Sequence, residues 1–267
     1  MKLLNGNELA GFIKQRQAHE VRSVNQSAGI VPKLAIIRTN PDPVVDSYMK
    51  LKQGYGDDIG VEVEVFTIEQ KDALTKIKDL NKDQTTHGII VQIPLPDPSE
   101  TSHILNSVAP NKDVDGLAEK TSFDPATPMA INWLLAGYNI EMNGKKIVIV
   151  GQGRLVGRPL ARLWQQSDLD VTVADKSTQN LSMLTKEANI IVSATGVPGL
   201  ITADMVSNNA VIVDAGVATD SNGLVGDVAP DVRQLPNITI TPEKGGVGPL
   251  TVCALFENVI RSAQNNL

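Results

Sequence analysis

Three glycines, at positions 151, 153 and 157, follow directly on the apolar run 147–150. Glycine is needed where φ is positive or where backbone must come close to a ligand. The run before them is dominated by β-branched residues and reads as a strand buried on both faces. The stretch after them, residues 156–166, has the periodicity of an amphipathic helix. A strand, a glycine turn and a helix N-terminus together make an anion site, because free backbone N–H groups and the positive end of the helix dipole point to one place. The chemistry that suits them is binding the pyrophosphate of a dinucleotide. The spacing Gly-x-Gly-x-x-x-Gly is one residue longer than the commonest fingerprint, so a tight turn without a ligand is the competing reading. A second apolar stretch, 169–174, ends at Asp175, 18 residues after Gly157. An acidic residue there is placed to hold a ribose hydroxyl.

Four polar residues in the first half carry a different set of possibilities. Tyr48 and Lys52 are spaced i, i+4 and share one face of a helix predicted over residues 44–59. The ordinary alternative is a surface tyrosine beside a solvated lysine. Gln92 ends the apolar stretch 87–92, just before Ile93-Pro94-Leu95-Pro96. Ligands of α/β sheets bind beyond the carboxyl ends of strands, so Gln92 is well placed, though an amide that satisfies its own loop fits equally well. Asp115 precedes Gly116 and follows Asp113 by two residues. The common use of aspartate before glycine is an Asx turn.

The elements that must position these residues alternate between strand and helix. Residues 7–24 read as a helix with Leu9, Phe12, Ile13 and Val21 on its inner side, and 33–38 as a short strand stopped by Asn40-Pro41-Asp42-Pro43. Residues 61–67, 72–80 and 87–92 follow as strand, helix and strand. A short helix near 100–106 and another over 127–136 lead to the glycine turn. Further strands are predicted at 189–193, 210–214, 224–228 and 238–241, and a final helix at 250–263. Such alternation gives parallel sheets covered by helices, an α/β fold.

Composition narrows the function classes. A chain of 267 residues with 42% apolar content is enough for two modest domains or one large one, with a sizeable core. The formal charge of -6 and pI near 5.1 argue against a nucleic-acid or membrane-surface partner, both of which need a basic footprint. One cysteine, Cys253, leaves no internal disulfide framework. The three histidines, His19, His87 and His103, lack the close spacing of a zinc motif, so no metal is expected. No signal peptide or membrane-length apolar run is visible, and a cytoplasmic protein is expected.

Taken in order, several motifs carry a resemblance: Tyr48-x-x-x-Lys52, Val91-Gln92-Ile93-Pro94-Leu95-Pro96, Lys112-Asp113-Val114-Asp115-Gly116, Pro125-Ala126-Thr127-Pro128, Gly226-Asp227-Val228 and Gly245-Gly246-Val247-Gly248-Pro249. Over nearly its full length the chain resembles the bifunctional methylenetetrahydrofolate dehydrogenase/methenyltetrahydrofolate cyclohydrolase family, the FolD family. The resemblance implies a two-domain homodimeric enzyme of one-carbon metabolism acting on tetrahydrofolate derivatives. Residues 1–119 would form an α/β catalytic domain to which the helix at 250–267 returns, and 120–249 a Rossmann-like NAD(P)-binding domain. It implies Lys52, Gln92 and Tyr48 as the catalytic set, with Lys52 the catalytic lysine, Gln92 its support and Tyr48 stacking on the folate. Asp115 would hold the pterin, and Gly246 and Pro249 join the folate-binding set. The cofactor-binding set is Gly151, Gln152, Gly153, Gly157, Asp175, Lys176, Thr195 and Gly196.

These types suit the two reactions: a buried lysine with a lowered pKa can move protons, and a carboxylate can accept two hydrogen bonds from a pterin. The chain departs from the usual family pattern at Val45, Ala130, Gln152-Gly153, Asp175-Lys176 and Glu243-Lys244. Asp175 would accept the ribose hydroxyls of NAD and repel the 2′-phosphate of NADP, so NAD is the expected cofactor. The competing readings are a dehydrogenase with weakened cyclohydrolase and a silent folate- or nucleotide-binding homologue.

Overall fold

The computed structural model describes residues 1–220 and 223–265. In chain order the elements are β1 (Lys2–Leu3), α1 (Gly6–Ala28), β2 (Lys33–Arg38), α2 (Pro43–Ile59), β3 (Glu62–Thr67), α3 (Ala73–Lys82), β4 (Gly88–Gln92), α4 (Thr101–Leu105), α5 (Ala126–Gly137), β5 (Ile147–Val150), α6 (Gly157–Gln166), β6 (Val171–Ala174), α7 (Leu181–Glu187), β7 (Ile190–Ser193), β8 (Val211–Asp214), β9 (Ala218–Asp220), β10 (Gly223–Val225), β11 (Thr239–Ile240) and α8 (Val247–Gln264). They form two compact units. One comprises Gly11–Ala126 and Val252–Leu267, the other Met1–Ala10 and Thr127–Thr251. None of the described helices is long and apolar enough to cross a membrane.

The first unit holds a parallel sheet in the order β3-β2-β4. Its middle and β4 strands are buried on both faces, which is why they read as unbroken apolar runs. Ala35, Ile37, Ile89 and Val91 point into one cluster with Ile77, Leu80, Ile104 and Leu105. By the two-residue period, Leu34, Ile36, Gly88, Ile90 and Gln92 belong to the opposite face. Gly88 is a glycine because Val114 packs against it: a side-chain carbon there would lie 2.9 Å from both Val114 methyls. The loop bearing Asp115 therefore crosses the same face that Gln92 ends. Gly56, inside α2, has a similar reason, since a side-chain carbon would meet the Val61 carbonyl oxygen at 2.8 Å.

Sequence periodicity misplaced one residue of α1. Phe12 is 67% exposed, whereas Gln17, Val21 and Val24 are buried. Those three follow an i, i+4, i+7 stripe that Phe12 does not share. Gln17 is buried because it is satisfied: its Nε2 donates to Cys253 O at 2.8 Å and its Oε1 accepts from Tyr55 Oη at 2.7 Å.

The second unit is a six-stranded sheet in the order β1-β11-β8-β7-β5-β6, parallel at every pairing, with a separate antiparallel β9–β10 hairpin. Its order reverses at β5, with β6 on one side and β7 on the other. The division differs from a boundary at residue 119. Met1–Ala10 belong with the six-stranded sheet because β1 pairs with β11, Leu4 N donating to Ile240 O at 2.9 Å. Residues 120–126 stay with the first unit.

The C-terminal part of α8 is fastened to the first unit by Asn258, which is fully buried. Its Nδ2 donates to Val114 O and to Asp124 O, each at 2.9 Å. Ser262 Oγ donates to Asn111 O at 2.9 Å. Asn258→Ala strands the buried Val114 carbonyl and the partly buried Asp124 carbonyl and is expected to lower stability by about 1–3 kcal/mol. Urea unfolding measures this, and an unchanged midpoint would show that the two bonds are not stabilising.

Candidate active site

Lys52 is the centre of the first unit's polar cluster. It projects from α2, one turn beyond the half-buried Tyr48. Its Nζ donates to Gln92 Oε1 at 2.9 Å. The Gln92 amide is fixed in that sense because its Nε2 donates to Ile93 O at 3.1 Å. Burial holds the Lys52 ammonium below lysine's usual range, and the Asp115 carboxylate nearby opposes that shift. Burial likewise raises Asp115, with Lys52 pulling it down and Asp113 pushing it further up. Three candidates from distant parts of the sequence thus meet: Lys52, Gln92 and Asp115.

The two acids of the 112–116 motif divide the work. Asp113 holds the turn: its carboxylate accepts from Leu117 N at 3.3 Å and Ala118 N at 3.0 Å. Asp115 accepts no hydrogen bond from the described residues, and it is its neighbour Asp113 that holds the following loop, through the N–H groups four and five residues on. Asp113 and Asn258, whose bond to Val114 O fixes the residue before Asp115, are the positioning residues that sequence reasoning missed. A partner for Asp115's loop lying 144 residues away leaves no local signal.

The second unit gathers the other candidates at the carboxyl ends of adjacent strands. Gly151 has φ of 108°, and a side chain at Gly157 would overlap the Gly151 carbonyl oxygen. Those two glycines are required by the turn itself. Gly153 is different: nothing lies within 3.9 Å of where its side chain would start. That open space, with no side chain capping the N-terminus of α6, fits an incoming pyrophosphate. Beyond β6, Asp175 Oδ1 accepts from Ser177 N at 2.9 Å and Ser177 Oγ at 2.6 Å, and Oδ2 accepts from Gln152 Nε2 at 3.3 Å. The Ser177 hydrogen bonds hold its pKa below the usual carboxylate range. Lys176 is exposed. Beyond β7, Thr195 Oγ1 accepts from Val197 N at 3.1 Å and Gly196 has φ of 69°. Gly246 is buried with its carbonyl against Gly6, and Pro249 lies in the first turn of α8.

Comparison with known proteins gives a family match over each half of the chain. A family model described as "Tetrahydrofolate dehydrogenase/cyclohydrolase, catalytic domain" matches residues 4–115, and one described as "Tetrahydrofolate dehydrogenase/cyclohydrolase, NAD(P)-binding domain" matches residues 125–267. The chain belongs to the tetrahydrofolate dehydrogenase/cyclohydrolase family. Among its relatives is the "Bifunctional protein FolD" of Desulforamulus reducens, 37% identical over 98% of this chain and 97% of that protein. Among solved structures, the bifunctional FolD enzyme of Campylobacter jejuni superposes with a TM-score of 0.95 at 35% identity, covering 100% of each chain. The Trypanosoma brucei FolD, solved with NADP cofactor and an inhibitor, gives 0.91 at 28% identity, covering 98% of this chain and 97% of that one.

Within this family fold, the Lys52–Asp115 coupling makes a specific prediction. Asp115 raises the Lys52 pKa, so removing its charge must lower it. In Asp115→Asn, Lys52 is expected to titrate at a lower pH than in the wild type, read by NMR of labelled lysine side chains. A Lys52 titration unmoved or shifted upward would show that the two groups are not electrostatically coupled.

Proposed function

We propose that the protein oxidises methylenetetrahydrofolate to methenyltetrahydrofolate with NAD(P)+ and then hydrolyses the methenyl form to formyltetrahydrofolate. The observation that carries this is the buried Lys52 ammonium hydrogen-bonded to Gln92 beside Asp115, in a chain of this family. A bound nicotinamide ring would supply the hydride acceptor for the first step. Gly151, Gln152, Gly153 and Gly157, with Asp175, Lys176, Thr195 and Gly196, are the residues to hold that cofactor. For that step the chain's task is to position the two rings.

The hydrolysis asks more of the side chains. The methenyl carbon carries positive charge, and water adds to it. As water adds, one of its protons is released; the second leaves the oxygen as the formyl C=O forms, and a ring nitrogen takes up a proton as its bond to that carbon breaks, so that one proton is released overall. A lysine whose pKa burial has lowered gives up and takes back a proton more readily than an exposed one. Gln92 orients the amine without adding charge. Asp115 has acceptor capacity free for the amino and ring N–H groups of a pterin, and the Tyr48 ring offers a flat apolar face to it. Gly246 and Pro249 are proposed to complete the folate-binding set. A silent homologue would have no use for the Lys52–Gln92 pair. The same reading takes the enzyme as a homodimer of the cytoplasm, supported by the family resemblance, the acidic balance and the single, buried cysteine.

For the cofactor we favour NAD over NADP. Asp175 is a fixed carboxylate kept ionised by Ser177, and its Oδ2 faces Gln152, where the family commonly has arginine. A 2′-phosphate would meet that charge, while Lys176 is on a flexible, exposed stem.

Two outcomes are expected. Lys52→Met should slow hydrolysis of methenyltetrahydrofolate by about 100-fold or more, the scale of a lost general acid/base; a wild-type rate in that variant would remove Lys52 from the mechanism. At matched folate concentration, kcat/KM should be higher with NAD+ than with NADP+. The reverse order would mean that nearby cations outweigh Asp175.

A further inference from the structure

Two carboxyl groups are packed together at the carboxyl ends of β7 and β8, and the chemistry above uses neither. Asp227 is fully buried. Its Oδ2 accepts from Ser193 Oγ and from Thr195 N, each at 2.7 Å. Its Oδ1 has no hydrogen-bond partner and fills the place of a side chain at Gly216. Asp214, the last residue of β8, accepts from Gly216 N at 3.1 Å and from Asp227 N and Val228 N at 3.0 Å. Its carboxylate in turn fills the place of a side chain at Gly226. Each acid thus occupies the gap left by a glycine in the other's segment. Two carboxyl groups buried side by side cost free energy, and neutral amides could close ordinary loops. A carboxyl oxygen here grips two donors at short range, a hydroxyl and a backbone N–H from the same turn.

What Asp227 grips is the turn after β7. The sheet order reverses at β5, so a dinucleotide lies across the carboxyl ends with its halves on opposite sides of that strand. Asp175 follows β6 and marks the adenosine side. The turn 193–196 follows β7, on the other side. We infer that Asp227 is a positioning residue for the nicotinamide half of the cofactor, setting the 193–196 turn through Ser193 Oγ and Thr195 N. The inference rests on the nicotinamide-dependent function proposed above.

The test uses the full chain and two readouts. NAD+ and NADP+ are titrated calorimetrically into the wild type, Asp227→Asn and Ser193→Ala, and hydrolysis of prepared methenyltetrahydrofolate is followed without any nicotinamide cofactor. For the cofactor the wild type prefers, Asp227→Asn is expected to weaken binding about tenfold and Ser193→Ala by a smaller factor, the scale of losing a charge-assisted hydrogen bond. Hydrolysis should stay within about twofold of wild type if the effect is confined to the cofactor turn. Unchanged affinity overturns the inference. So does a parallel fall of affinity and hydrolysis, which marks a purely structural acid. If Asp227→Asn does not fold, Ser193→Ala decides on the same readouts. A wild type that binds neither cofactor overturns the parent function, and the positioning role falls with it.

Discussion

An ammonium group withdrawn from water needs something to hold it, and the first unit is arranged around how Lys52 is held. The amide oxygen of Gln92 takes one of its protons at 2.9 Å, and the charge of Asp115 stands close enough to resist the loss of charge that burial favours. Neither partner is local. Gln92 arrives because β4 pairs with β2 in a register that puts it opposite Arg38. Asp115 arrives because Val114 packs on Gly88 and Asn258 holds the Val114 carbonyl. Sheet register, one glycine and one distant amide therefore decide whether the lysine has a partner or is an unpaired buried charge. The latter is the costly state.

Much of this was legible from the sequence. Strands buried on both faces leave unbroken apolar runs, so β2, β4, β5, β7 and β8 could be placed within a residue or two. The glycine turn announced itself because a side chain at Gly157 would collide with the Gly151 carbonyl. The motifs around Gln92 and Asp115 pointed to the family directly. Other parts had no local sign. β1 is two exposed residues whose only claim to strand structure is a partner more than 230 residues on. β9 lies in a hairpin too short to show a period. Which acid of the 112–116 motif holds the turn depends on where the chain goes next, and spacing is silent on that.

The two units place their polar groups by the same device. In each, a side chain packs so near a backbone segment that a side-chain carbon there would collide with it, and a carboxylate accepts backbone N–H groups of the loop: Gly88 against Val114, with Asp113 holding the turn, in one; Gly216 and Gly226 against Asp227 and Asp214 in the other. Close approach of this kind restricts how far the loops can move.

The interleaving of the chain has a consequence for its synthesis. Residues 11–126 leave the ribosome early, but the loop before Asp115 is fastened by Asn258 and Ser262. The six-stranded sheet borrows its edge strand from the first three residues. Neither unit is a single stretch of chain, so no cut at one point separates them intact. The earlier part is finished late: the loop before Asp115 waits, only partly tied, until α8 has been made. Domain-by-domain folding during synthesis, available to chains whose domains are contiguous, is closed to this one, and the early segment stays exposed to misfolding or capture while residues 127–251 are being made.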